Sequence, residues 1–261
     1  MTEPSVGIIG GTNGMGRWLA ELLAARGCRV SVTGRKTAVT AADAARSCDV
    51  VVVAVPIAAT SDVIAQVGPL LQSSQALMDL TSLKEEPVAL MLSSSPAEVV
   101  GCHPLFGPQA ADPAEHSIVL CRGRGETWYA WMKAVFEQAG YTVLEKTPAE
   151  HDRVMAVVQA LSHLNTIALG MAVAAAGFSA AQLEPFATPV FKTKMELVKK
   201  VFTESPELYA DIIAGNPNRR EVFAVYENVL RTLSEPVGSG DGKKLKHAME
   251  TAAEKLFAPK P

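Results

Sequence analysis

The chain has 261 residues, 48% of them apolar and 20% charged, with a formal net charge of −3. That composition excludes a disordered or low-complexity chain and leaves room for two domains. Lysines and arginines are scattered along a slightly acidic chain, which excludes the basic field that nucleic-acid binding requires, so no nucleic-acid partner is expected.

In chain order, VGIIG, CRVSVTG, DVVVVAVP, QALMDLT, EVVGCHP, SIVLCRG and YTVLEKT are β-branched runs that read as strands. Several are apolar without alternation, as parallel strands covered on both faces would be. Between them RWLAELLAARG, AATSDVIAQVGPLL, EEPVALMLSS and ETWYAWMKAVFEQAG carry helical spacing and end near glycine, serine or proline. The alternation predicts an α/β fold, a doubly wound, mostly parallel Rossmann-type sheet over residues 1–147.

After Thr147 no further β-branched run appears, and 148–261 is expected to be an all-α domain that contributes to substrate binding and dimerisation. Its pieces are a long helix from about Pro148 to Ala176, a break at GFSAAQLEP, then helices around Thr188 to Phe202, at PELYADIIAG, at NRREVFAVYENVLRTL and at KKLKHAMETAAEKLF. The Gly238–Gly242 segment reads as a plain loop. The long helix is apolar nearly all round, so a second subunit is expected to cover part of it, giving a homodimer. Gln159, His163 and Asn165 interrupt its apolar run, which argues against a membrane span. The four cysteines have no metal-ligand spacing, so no metal is expected, and MTEPSVGIIGG lacks the basic and extended apolar regions of a secretion signal. Together these features predict a reduced, cytoplasmic protein.

VGIIGGTNGMGRWLAELL places Gly11, Asn13 and Gly16 at the three glycine positions of the dinucleotide fingerprint, between a strand and a helix. Gly11 would permit the tight turn, Gly16 close packing of helix on strand, and the amides of Thr12 through Met15 at the helix start would face a pyrophosphate. Asn13 departs from the pattern; it tolerates a left-handed backbone better than other side chains, and Gly14 adds freedom beside it. An NAD site places an acidic residue at the end of the second strand, whereas this chain has Thr33, Arg35 and Lys36. A 2′-phosphate would gain charge-assisted hydrogen bonds there, so NADP is the expected cofactor, with NAD the alternative. Val55 and Pro56, in AVPIAAT after the third strand, would run beside it.

Ligands of open α/β sheets bind beyond the carboxyl ends of the strands. QALMDLTSLK delivers Thr81, Ser82 and Lys84 there, and EVVGCHPLFGPQ delivers His103 and Gln109. An imidazole at that edge, in a domain that already has a cofactor turn, is a candidate base. On the long helix, Gln159, His163 and Thr166 follow i, i+4, i+7 spacing as a polar stripe.

GCHPLFGP, DLTSLK, HDRVMAVVQALSHLNTIALG and SPELYADII resemble the prephenate and arogenate dehydrogenases, over nearly the whole chain and in order. The resemblance implies oxidative decarboxylation of a cyclohexadienyl acid with NAD or NADP, by a dimer joined through its helical domain. Hydride would leave ring C4, with His103 as base for the 4-hydroxyl proton. Ser82, matching the family's serine, would hydrogen-bond the imidazole or the substrate, or cap the helix beginning near Lys84. His163 matches the family's second histidine and would bind substrate, with Gln159 beside it, while His151, His116 and His247 are expected at the surface. Lys192, with Lys194 as fallback, stands where relatives carry a carboxylate-gripping arginine; both lysines could equally be solvated. Gln109 stands where relatives often carry an acidic residue. The substrate can therefore be prephenate, arogenate or 4-amino-4-deoxyprephenate. The rival readings are another reductase with the same nucleotide domain, such as a β-hydroxyacid dehydrogenase or a deazaflavin-linked enzyme, and an NADP-binding sensor without turnover.

Overall fold

A computed structural model describes residues 4–109 and 112–258. β1 (Ser5–Ile9), α1 (Gly14–Ala24), β2 (Arg29–Thr33), α2 (Ala41–Ser47), β3 (Val50–Val53), α3 (Ile57–Val67), β4 (Ala76–Asp79), α4 (Glu85–Ser94), β5 (Glu98–Pro104), β6 (Ser117–Arg124), α5 (Thr127–Gln138) and β7 (Thr142–Lys146) follow in order. The strands form one sheet, β2-β1-β3-β4-β5-β6-β7, and every run expected to be a strand is one. Pairing is parallel except between β5 and β6, which run antiparallel with a register shift between Val99 and Val100.

All four residues of β3 are buried because helices cover both faces. Side chains alternate across a strand, so Val50 and Val52 join Ile8, Met78, Leu19, Leu23 and Phe136 in one core. Val51 and Val53 join Ile9, Leu77, Ile64, Val67 and Met91 in the other. The sequence reading missed α2, a short alanine-rich helix that carries no long apolar stripe. A capping box between Thr40 and Asp43 starts it.

α6 (Pro148–Met155), a π-helical stretch (Ala156–Leu161) and α7 (Ser162–Ala175) form one continuous helix, opened by a capping box of Thr147 and Glu150 with Pro148 in the first turn. α8 (Ala180–Leu183), α9 (Pro189–Thr203) and α10 (Pro206–Gly215) follow. The expected break at GFSAAQLEP therefore holds a short helix. The chain divides into two compact units, 1–217 and 218–261. The change from mixed to helical structure falls at Thr147, and α6 to α10 pack into the same compact unit as the sheet. In the second unit, α11 (Arg219–Ser239) runs through Pro236 and ends on left-handed Gly240 (φ 69°). Asp241 then caps α12 (Gly242–Leu256) by accepting from the amides of Lys243 and Lys244. The loop expected at Gly238–Gly242 is thus reduced to little more than a helix stop and a helix start.

The helix Pro148–Ala175 is long and apolar enough to cross a membrane by length and composition, and 22% of its most apolar window is buried within the chain. Val157, Val158 and Met171 on it are exposed, as are Val190 and Leu197 on α9. The chain itself therefore leaves much of this apolar surface uncovered.

Candidate active site

At the end of β1, Gly10 takes φ 88°, and an added Cβ would lie 2.3 Å from the Ala54 carbonyl oxygen. A Cβ on Gly16 would lie 2.6 Å from the Gly10 carbonyl oxygen and 3.0 Å from Ala54 Cβ, so α1 can meet the turn this closely only with glycine there. Gly11 is equally tight, 2.8 Å from Val32 Cγ1, whereas Gly14 (φ 54°) opens onto free space. Asn13 is not left-handed as its residue type suggested; it is extended (φ −144°, ψ 170°) and makes no side-chain cap, because Gly10 and Gly14 supply the positive φ values. Thr12, Asn13 and Gly14 are exposed and Met15 half-buried above uncapped helix amides, a cradle open to an anion.

After β2 the three candidates part company. Thr33 is only 2% exposed, so its hydroxyl is not presented to solvent, while Arg35 and Lys36 are exposed and, among the described residues, have no ion-pair partner. Val55 is half-buried and Pro56 exposed at the start of α3.

His103, next to last in β5, is 3% exposed. Polar groups from the long helix enclose it. His103 Nδ1 lies 2.8 Å from His151 Nε2, and the amide nitrogen of Gln159 stands 3.5 Å from His103 Nε2. Gln159 Oε1 is buried with no hydrogen-bond partner among the described residues, an acceptor left unused at the ring. Burial holds His103 well below the ordinary histidine range, with the Lys84 cation adding to it. The imidazole is thus kept neutral.

The neighbouring β4–α4 turn is organised by a buried ion pair. Lys84 and Asp79 are both wholly buried; Lys84 Nζ bonds Asp79 Oδ2 and donates to the Cys102 carbonyl (2.9 Å), one residue from His103. The Thr81 amide and hydroxyl also donate to Asp79. Ser82 is half-buried, and among the described residues its hydroxyl has no hydrogen-bond partner. The expected cap by Ser82 is absent because the Asp152 carboxylate takes that place, accepting from the amides of Lys84 and Glu85 (2.9 Å each).

The sequence matches two consecutive family descriptions, "Prephenate dehydrogenase, nucleotide-binding domain" over residues 20–143 and "Prephenate dehydrogenase, dimerization domain" over residues 147–251. The chain belongs to the prephenate dehydrogenase family. Among curated relatives it is 33% identical to the T-protein of Haemophilus influenzae, covering 87% of this chain and 60% of that protein. It is 30% identical to a probable arogenate/prephenate dehydrogenase of Methanocaldococcus jannaschii, covering 97% and 61%. The chain therefore spans about three fifths of the length of these relatives. In fold it is similar to the Aquifex aeolicus prephenate dehydrogenase solved with hydroxyphenyl propionate and NAD+, at TM-score 0.72 and 19% identity over 99% of both chains.

Within this prephenate dehydrogenase scaffold, the remaining candidates do not all converge. The stripe read at i, i+4, i+7 begins in the π-helical stretch, and its three members have different partners. Gln159 faces His103, His163 packs edge-on against Tyr209 of α10 (4.7 Å between centroids), and the Thr166 hydroxyl bonds back to the Ser162 carbonyl. Burial lowers the His163 pKa. Lys192 is 54% exposed and lies 3.6 Å from Glu184; Lys194 and Gln109 are exposed, and among the described residues no hydrogen bond or ion pair joins any of them to His103. His151, assigned to the surface from sequence, is 1% exposed and touches His103 directly. His116 also departs from that reading, half-buried with its ring 5.0 Å from that of Phe106, while His247 is exposed as expected. The signal for His151 was its Asp152 neighbour at the start of a helix following the sheet, which composition and period do not weigh.

Proposed function

We propose that this chain catalyses oxidative decarboxylation of a cyclohexadienyl acid, prephenate or arogenate, with NADP as the preferred coenzyme and His103 as base. The observation that carries the reading is the neutral, enclosed imidazole at the carboxyl edge of the sheet, with an unused acceptor of Gln159 beside it. The nucleotide fits the cradle formed by Gly10, Gly11, Gly14 and Gly16, and Arg35 and Lys36 offer two exposed cations for a 2′-phosphate. When bound, the nicotinamide supplies a hydride acceptor for ring C4.

His103 Nε2 takes the 4-hydroxyl proton as the C4 hydrogen departs, the ring carboxylate leaves as carbon dioxide, and the proton returns to the oxygen of the newly aromatic phenol. Ser82, with its free hydroxyl on the adjoining turn, and Gln159 orient the substrate hydroxyl. His163 and Lys192 are assigned to the rest of the substrate, which places Lys192 in a more closed or assembled state than the single chain has. The exposed apolar residues of α6 to α9 support a homodimer, and the free, mostly buried cysteines suit a reducing cytoplasm.

The test is a panel of prephenate, arogenate and 4-amino-4-deoxyprephenate against NADP and NAD, followed by absorbance of the reduced coenzyme. Turnover with one of the acids, faster with NADP and abolished in His103→Asn, is the expected result; no turnover with any acid overturns the proposal, and turnover of the 4-amino acid alone replaces its substrate.

A further inference from the structure

A buried polar chain runs through two residues that the proposed chemistry leaves unused. His151 and Asp152 are each 1% exposed, at the second turn of α6. Asp152 Oδ1 accepts from the Lys84 amide and Oδ2 from the Glu85 amide, so the carboxylate is fixed against the start of α4. His151 Nδ1 lies 2.7 Å from Asp152 Oδ1, and His151 Nε2 lies 2.8 Å from His103 Nδ1.

Hydrogen-bond polarity then propagates along the chain. A carboxylate only accepts, so the nitrogen facing it, His151 Nδ1, carries a hydrogen. With that hydrogen placed and the ring uncharged, His151 Nε2 is a lone pair and accepts. His103 Nδ1 must therefore donate, which leaves His103 Nε2 without a hydrogen on the side that faces Gln159. We infer that His151 is a positioning residue: anchored by Asp152, it accepts the Nδ1 hydrogen of His103 and keeps His103 Nε2 an acceptor, faced by the Gln159 amide until the substrate hydroxyl takes that place. The same bond shares the positive charge that His103 acquires on taking the proton. Lys84 and Asp79, buried on the β4–α4 turn, and Glu85 are the other charged groups close to this chain. Because Asp152 holds both α4 and His151, one carboxylate ties the turn bearing Ser82 to the aim of the base.

The inference rests on the proposed role of His103 and is tested separately from it. In full-length protein labelled with 15N-histidine, and with the His103 signals assigned by their loss in His103→Asn, the imidazole nitrogens report the tautomer directly. The expected spectrum has a hydrogen on Nδ1 and none on Nε2 at both His103 and His151. In His151→Phe, kcat falls by about 10- to 100-fold while KM for both substrates changes by no more than about threefold. His151→Gln, which keeps an oxygen acceptor, recovers part of the loss. A hydrogen on His103 Nε2, a doubly protonated His151, or unchanged kcat in a folded His151→Phe overturns the inference. If that variant fails to fold, the wild-type spectrum decides, and an inactive wild type would end the proposed function while leaving the tautomer readable.

Discussion

Lys84→Met is the most demanding perturbation of the site. The substitution removes one partner of an ion pair that is wholly buried on both sides, leaving the Asp79 carboxylate uncompensated in the core. Breaking such a pair costs about 3–5 kcal/mol. Thr81 still donates twice to Asp79, which favours the lower end, but the Cys102 carbonyl also loses its Lys84 bond, about another 1 kcal/mol. The expected loss is about 4 kcal/mol, a large share of the stability of an ordinary domain. The double variant Lys84→Met with Asp79→Asn removes both charges yet keeps an acceptor for Thr81, and should cost no more than about 1.5 kcal/mol. Denaturant unfolding of wild type, single and double variants followed by tryptophan fluorescence measures the cycle. A single-variant loss below about 1 kcal/mol, or a double variant as unstable as the single, refutes the buried-charge reasoning.

Arg35→Asp should lower kcat/KM for NADP by at least about tenfold while changing that for NAD little, through loss of a charge-assisted phosphate bond; equal effects on both coenzymes in steady-state kinetics would remove Arg35 from the phosphate site. Gly16→Val should weaken nucleotide binding, measured by calorimetry, because its side chain meets the Gly10 carbonyl and Ala54. The folded-state pKa of His103 lies below 6.5, so the acid limb of kcat/KM assigned to this group should fall well under pH 6.5. For the same group, unfolded chains bind a proton that the native state refuses, so its contribution to stability is complete above pH 6.5 and declines as pH falls below it; pH-dependent unfolding would show the opposite slope if the ring were charged in the fold. Val190→Glu with Leu197→Glu, both exposed on α9, should convert dimer to monomer in sedimentation without changing helicity.

The strand series, the glycine turn and the histidine at the sheet edge were legible in the sequence because each is a local signal. A run such as VVVV needs helices on both faces wherever it occurs, and a glycine between strand and helix announces a close approach before the neighbour is known. Polar partnership was not legible. His151 looks like a surface residue in HDRVM, yet it is buried because α6 lays it on His103, 48 positions away. Likewise Ser82 looked like a helix cap until Asp152, brought from beyond the sheet, occupied the amides. The sequence by itself determined which segments bury apolar surface and where a glycine turn lets a helix meet a strand closely, because those follow from side-chain period and backbone freedom. Only the tertiary structure brought His151, Asp152 and Gln159 around His103, because hydrogen-bond partners distant in sequence are chosen by how helices pack on the sheet.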